Sequence, residues 1–368
     1  MTTQHAERDH AVWAPSMGDR WASENGCTAA PMAIDRLPKQ EEGDEAKKGT
    51  AAHEEIERCF GSLNGEFVDP ATMPIKEVNF EHPSAYGIAL TIAYVRGLPP
   101  GRMWIEKSVA LTKDIYGTPD IRHWHEETAT LTVPDYKDGF IGIDPKSPQF
   151  RIYAASAIFT DNLPAKWIRY AVIQPNDFRP VPRVKQEVES IDDLYAFAQR
   201  VAAIPGGQHV FRAGEHCRYC PLFGRCDATR DLLAHLAVAM QHTPDEVPLA
   251  TRAIFKTLEK PLADWFKGAD KVWAKQALSG SVPAGMKLVT SQTHRAWFDE
   301  AKAREVVIAA VGVDALKPPT PAQAEEMGMD VEGLTKRAEG GPVLALESDK
   351  RKPWVVRSAE EMFKGVTG

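Results

Sequence analysis

The sequence is poor in cysteine, has no long apolar run and carries no surplus of positive charge. The five cysteines argue against a disulfide framework in a chain expected to stay in a reducing compartment. No run of eighteen apolar residues occurs, which excludes a sequence-evident membrane helix. The first residues include Gln4, His5, Glu7, Arg8 and Asp9, so an apolar signal core is missing there and a soluble, cytoplasmic protein with no membrane partner is expected. A formal charge of -7 excludes a protein that coats nucleic acid by bulk electrostatics, although a local basic channel is compatible with it. What remains is 368 residues, 43% of them hydrophobic, enough for one large domain with an appendage or for two domains.

The most committed stretch runs from Gly117 to Tyr153. Asp120 precedes a short strand-like run, Ile121 to Trp124. A polar break at His125, Glu126 and Glu127 follows, and then an alternating run from Ala129 to Lys137. Two strands joined by a tight turn bring Asp120 and Asp135 near each other. Lys137, two residues past Asp135, points to the same side. An acid pair with a lysine beside it is suited to divalent-metal phosphodiester cleavage, in which carboxylates hold Mg²⁺ or Mn²⁺ and a cation steadies the attacking water or the phosphate.

Elements are expected around this stretch. Lys47 to Phe60 reads as a helix with His53, Ile56 and Phe60 at three- and four-residue steps, and Pro83 to Gly97 as a second helix. Gly61 to Phe80 reads as a loop. Met103 to Leu111 reads as a strand that contains Glu106, whose commoner reading is a charge on the strand's solvent face and whose alternative is a carboxylate supporting the ligands of the site. A helix from Gln149 to about Phe159 puts Gln149 and Tyr153 one turn apart on one face. Lys166 to Pro175 reads as a buried strand, and Ile191 to Ile204 as an amphipathic helix with Ser190 as its cap and Pro205 past its end.

Three of the cysteines, Cys217, Cys220 and Cys226, are spaced C-x2-C-x5-C, which calls for a metal or cluster and leaves a fourth ligand to be found. Cys59 reads as a small core residue on the His53 helix.

Taken together, Pro119-Asp120, Asp135-Tyr136-Lys137, the Gly49 to Glu54 segment and the Pro148 to Tyr153 segment resemble, in order, the motifs of the PD-(D/E)XK nuclease superfamily and its RecB-like branch, the type that includes AddB and the CRISPR-associated exonucleases. The resemblance implies an α/β fold with a restriction-endonuclease-like core, a mixed sheet flanked by helices. It implies that His53, Asp120, Asp135 and the backbone carbonyl of Tyr136 ligate Mg²⁺ or Mn²⁺, with Glu54 and Glu106 supporting them. Lys137 would orient or deprotonate the attacking water, with a lowered pKa, or neutralise the phosphate. Gln149 and Tyr153 would border the cleft, and Arg151 and Tyr153 would contact nucleic acid. It further implies that Cys27 joins Cys217, Cys220 and Cys226 around a 4Fe-4S cluster. A structural Zn²⁺ held by the three cysteines with Cys27 or His216 is the alternative.

The function implied is metal-dependent DNA hydrolysis, chiefly by an exonuclease of phage or bacterial recombination and repair. Its partners would be single strands or duplex ends and a recombination protein such as a single-strand annealing protein. The alternative is a DNA-end-binding adaptor that retains the fold. Residues 1–230 are expected to form the nuclease domain and 231–368 a mainly helical region. Within the latter, helices are expected over Leu232 to Gln241, Ala250 to Leu258, Pro261 to Leu278 and Asp299 to Val311, with a strand over Met286 to Thr290. Gly285 to Val289, Arg295 to Trp297 and Leu344 to Lys352 resemble the C-terminal part of a phage RecB-like family known mainly as a domain of unknown function.

Overall fold

The computed structural model describes residues 11–38, 43–177, 179 and 181–281. A 3-10 turn (Pro15–Met17) is followed by α1 (Gly18–Trp21), α2 (Ala30–Asp35), α3 (Asp44–Phe60), β1 (Asn64–Val68), α4 (Ala85–Arg96), β2 (Gly101–Ile105), β3 (Val109–Thr112) and β4 (Ile115–Gly117). Next come β5 (Ile121–His125), β6 (Thr130–Tyr136), α5 (Pro148–Asp161), β7 (Trp167–Ile173), β8 (Val184–Ser190) and α6 (Ile191–Ala202). A short 3-10 turn (Glu215–Cys217) precedes α7 (Asp227–Ala239) and α8 (Leu249–Leu278). The expected strand at Met286 to Thr290 and helix at Asp299 to Val311 lie outside the described residues.

Six strands form a mixed sheet in the order β1-β2-β5-β6-β7-β8, parallel only between β6 and β7, where α5 makes the crossover. This is the mixed sheet flanked by helices that was expected. Alternation along each strand sends side chains to two cores. Trp104, Leu131, Val133, Ile168, Tyr170 and Val172 pack beneath α5, α6 and the N-terminal Trp13 and Trp21. Met103, Ile105, Ile121, Tyr136 and Ile173 face α3 and α4 on the other side. Helix α5 is buried almost all round, through Phe150, Ile152 and the Ala154 to Ala157 run, and ends on Asn162 in the left-handed conformation. Ser190 caps α6 by accepting from the Asp193 N–H at 3.2 Å.

Three expectations are corrected. The Met103 to Leu111 strand is two strands, because Glu106 adopts a left-handed φ of 49° and ends β2. The Gly61 to Phe80 loop contains β1, and β8 is a further strand without a sequence signal. Both lie at sheet edges and are largely exposed, so the apolar alternation of a half-buried strand is missing from them. The two helices expected on either side of Lys260 are the single helix α8, with Pro261 inside it.

The chain divides into two compact units, Met1–Pro248 with Leu258–Leu262, and Leu249–Thr257 with Ala263–Gly368. No helix among the described residues is long and apolar enough to cross a membrane.

Candidate metal centre and sulfur site

The cleft lies where the start of β5 and the end of β6 meet α3 from one face of the sheet and α5 from the other. Its walls include His53, Glu106, Asp120, Lys137, Gln149 and Tyr153. Asp120 is placed by the β5–β6 hairpin, and its Oδ2 accepts the Tyr136 N–H at 2.8 Å and meets His53 Nδ1 at 3.1 Å. A strand residue turns its N–H and C=O to the same side, so the Tyr136 carbonyl also points toward Asp120. The Tyr136 ring packs edge-on against His53 with centroids 5.9 Å apart. Glu106 reaches the site because its left-handed residue breaks the strand, while its N–H bonds the Asp120 carbonyl at 2.9 Å.

Among the described residues, His53, Glu106 and Asp120 form the one group of three or more His, Cys, Asp or Glu side chains whose ligand atoms all lie within 4.8 Å of one another. One imidazole nitrogen with two carboxylates is a hard donor set that fits Mg²⁺ or Mn²⁺. Asp135 lies beneath the cleft surface, 2% exposed, with its Oδ2 2.5 Å from Lys137 Nζ. Glu106 thus takes the place expected of Asp135 in the closest donor group, and Asp135 sits beside it, paired with the lysine.

The charges are interlocked. Burial disfavours the His53 imidazolium, but Asp120 outweighs it and raises the His53 pKa to about 9. To ligate through Nδ1, His53 must release that proton. Burial pushes Asp120 up, yet His53, Lys137 and the Tyr136 N–H hold it below the ordinary carboxylate range. Asp135 is raised, by burial and by the charge of Asp120. Burial also opposes the Lys137 ammonium, but Asp135 and Asp120 raise its pKa overall. Without a bound metal, the two neighbouring carboxylates thus favour the Lys137 ammonium, opposite in direction to the lowering expected from desolvation or a metal charge.

Gln149 and Tyr153 line the cleft together. Glu54 does not reach the site, because the residue after His53 is turned by about 100° around the helix and is exposed. Arg151 is likewise turned about 200° from Gln149, away from the Gln149–Tyr153 face. Its guanidinium donates to Glu189 Oε1 at 2.6 Å and Oε2 at 3.2 Å and stacks on Phe197 at 4.0 Å. These contacts tie it into the scaffold. Asp19 of α1, which had no sequence signal, has its pKa raised by burial and by the charge of Asp144, with Lys137 opposing them.

A second site is built of sulfur. Cys27, Cys217, Cys220 and Cys226 line one small pocket although 190 residues separate the first two. Arg212 N–H meets Cys27 Sγ and Gly214 N–H meets Cys217 Sγ, each at 3.4 Å, while Thr229 Oγ1 lies 3.1 Å from Cys226 Sγ. Burial pushes the Cys217 thiol up to about 11 and raises Cys27 and Cys220, so thiolates here call for a bound metal to displace the protons. His216 also lines the pocket, with Nε2 2.8 Å from the Arg212 carbonyl. Cys59 is elsewhere, in the core of α3.

Residues 102–352 match the family described as "Protein of unknown function (DUF2800)", and the chain belongs to that family. The matched span includes Asp120, Asp135, Lys137 and the C-x2-C-x5-C group, and begins after His53 and Cys27. No curated protein matches the chain. Among solved structures, "Crystal structure of SSO0001" aligns at 14% identity over 34% of this chain, with a TM-score of 0.24. The alignment spans 60% of that chain, and the similarity is too low to define a common fold.

Proposed function

We propose that this protein is a divalent-metal-dependent nuclease that hydrolyses DNA phosphodiester bonds, acting from strand ends in recombination or repair. The observation that carries the reading is the convergence of His53, Glu106 and Asp120 with the Asp135–Lys137 pair in one cleft. His53, Glu106 and Asp120 would hold Mg²⁺ or Mn²⁺, which when bound polarises a phosphoryl oxygen and activates water. Asp135 fixes the Lys137 ammonium, and that cation would face the phosphate whose negative charge grows in the transition state. Tyr153 and Gln149 border the cleft opposite and shape the path of the strand.

The four cysteines, which line one pocket, are proposed to hold a 4Fe-4S cluster, with a structural Zn²⁺ as the alternative. Digestion of end-labelled single- and double-stranded DNA with Mn²⁺, by wild type and Asp120→Ala purified anaerobically, tests the reading. Cleavage that is lost in the variant and in excess chelator supports it; cleavage that persists in both overturns it.

A further inference from the structure

The loop between β6 and α5 leaves the cleft at Lys137 and returns to it at Gln149, so both its ends lie at the cleft. It is held rigidly from below. Gln174 is fully buried, and its Nε2 donates to the carbonyls of Gly139 at 2.7 Å and Ile141 at 2.8 Å. Its Oε1 accepts from the Ile143 N–H at 3.0 Å and from Lys185 Nζ at 2.6 Å. At the loop's base, Asp138 Oδ1 accepts from Tyr136 OH at 2.6 Å and Ser84 Oγ at 3.0 Å, and Oδ2 pairs with Lys48 Nζ at 3.0 Å.

A loop pinned at this many points has fixed positions for its side chains, yet it holds Phe140 57% exposed and Ile141 42% exposed. Two residues beyond Ser84, Tyr86 is 67% exposed. The Ser84–Asp138 bond therefore has an exposed aromatic two residues beyond each partner. Ion-paired cations lie near them: the Arg179 guanidinium, held by Asp177 at 2.7 Å, lies against Gly142 of the same loop, and Lys48, paired with Asp138, is partly exposed. Exposed aromatic faces on a pinned loop whose two ends lie at the cleft suit a strand whose bases are unstacked.

We propose that Phe140 and Tyr86 form a base-stacking rim for the unpaired nucleotides of a DNA strand whose backbone leads into the cleft. The inference rests on the nuclease reading and deepens it, making the substrate a single-stranded end or overhang rather than a blunt duplex. The test measures binding of the full chain to an oligothymidylate and to an abasic oligomer of the same length, in Ca²⁺, for wild type, Phe140→Ala, Tyr86→Ala and Phe140→Trp. Circular dichroism confirms the fold of each variant. Each alanine variant is expected to lose about tenfold in affinity for the oligothymidylate, the loss of one stacked base, and nothing for the abasic strand, while Phe140→Trp retains binding.

Unchanged oligothymidylate binding in both alanine variants overturns the rim, as for a surface that serves a protein partner, and so does an equal loss on both oligomers. Digestion with Mn²⁺ by the same preparations separates the two readings. Wild type that cleaves while the variants bind normally removes the rim alone. Base-dependent binding that needs Phe140, without any cleavage, supports the rim and removes the nuclease.

Discussion

Asp120, just before β5, and Asp135, on β6, lie close enough that the charge of Asp120 helps to raise the Asp135 pKa. The register pairs His123 with Thr132 and Trp124 with Leu131, which brings the two acids to the same end of the hairpin. Each acid has its own cation, His53 for Asp120 and Lys137 for Asp135. Two neighbouring carboxylates in a buried place are costly without such partners or a metal.

Glu106 and Glu54 should separate cleanly. Glu106→Gln is expected to weaken Mn²⁺ binding by at least about tenfold, as losses around metal sites do. Glu54→Gln, exposed on α3, should bind Mn²⁺ like wild type. Isothermal titration with Mn²⁺ measures both; equal affinities would remove Glu106 from the donor group.

Lys137→Ala should abolish cleavage and leave the chain folded. Lys137→Arg keeps the cation, and residual cleavage by it would fit a charge-stabilising role, whereas a general base would be lost in both. Single-turnover rates with Mn²⁺ distinguish the cases.

Glu189 is 3% exposed and receives Arg151, Tyr170 OH at 2.6 Å and Lys146 at 3.6 Å. Removing the Arg151 cation strands a buried carboxylate, so Arg151→Met should destabilise by about 3 kcal/mol. Urea denaturation measures the loss. Oligothymidylate binding per folded molecule should stay unchanged, because Arg151 faces away from the cleft.

His123 is fully buried, with Nε2 2.8 Å from the Pro99 carbonyl and Nδ1 without a partner. Burial lowers its pKa from 6.5 to about 4. Because the folded value lies below the unfolded one, its contribution is complete above pH 6.5 and is lost as pH falls from there through about 4. Denaturant midpoints between pH 7 and 5 should fall in wild type and fall less in His123→Gln.

Cys220→Ala should lose bound metal and stability, and Cys59→Ala should keep the metal. Metal analysis with a visible absorbance spectrum of anaerobic protein reads both. Broad visible absorbance with iron identifies the cluster, zinc with a colourless sample identifies the alternative, and unchanged metal in Cys220→Ala removes the site.

Much of the cleft was legible in the sequence because its geometry is local. The period of a strand puts Lys137 on the side of Asp135, one helical turn puts Tyr153 beside Gln149, and the break after His125 closes the hairpin that aligns Asp120. The Ser190 cap and the C-x2-C-x5-C loop are equally local signals. Local patterns do not record which distant elements meet. Tertiary structure decided that Glu106 enters the cleft, through a left-handed residue that ends β2, and that Arg151 is held by Glu189 from a strand 38 residues on. It also decided that Cys27 reaches the other three cysteines and that the polar edge strands β1 and β8 complete the sheet. The physical reason is that side-chain periodicity is fixed by backbone geometry residue by residue, whereas edge pairing, buried ion pairs and ligand convergence depend on packing between segments far apart in the chain.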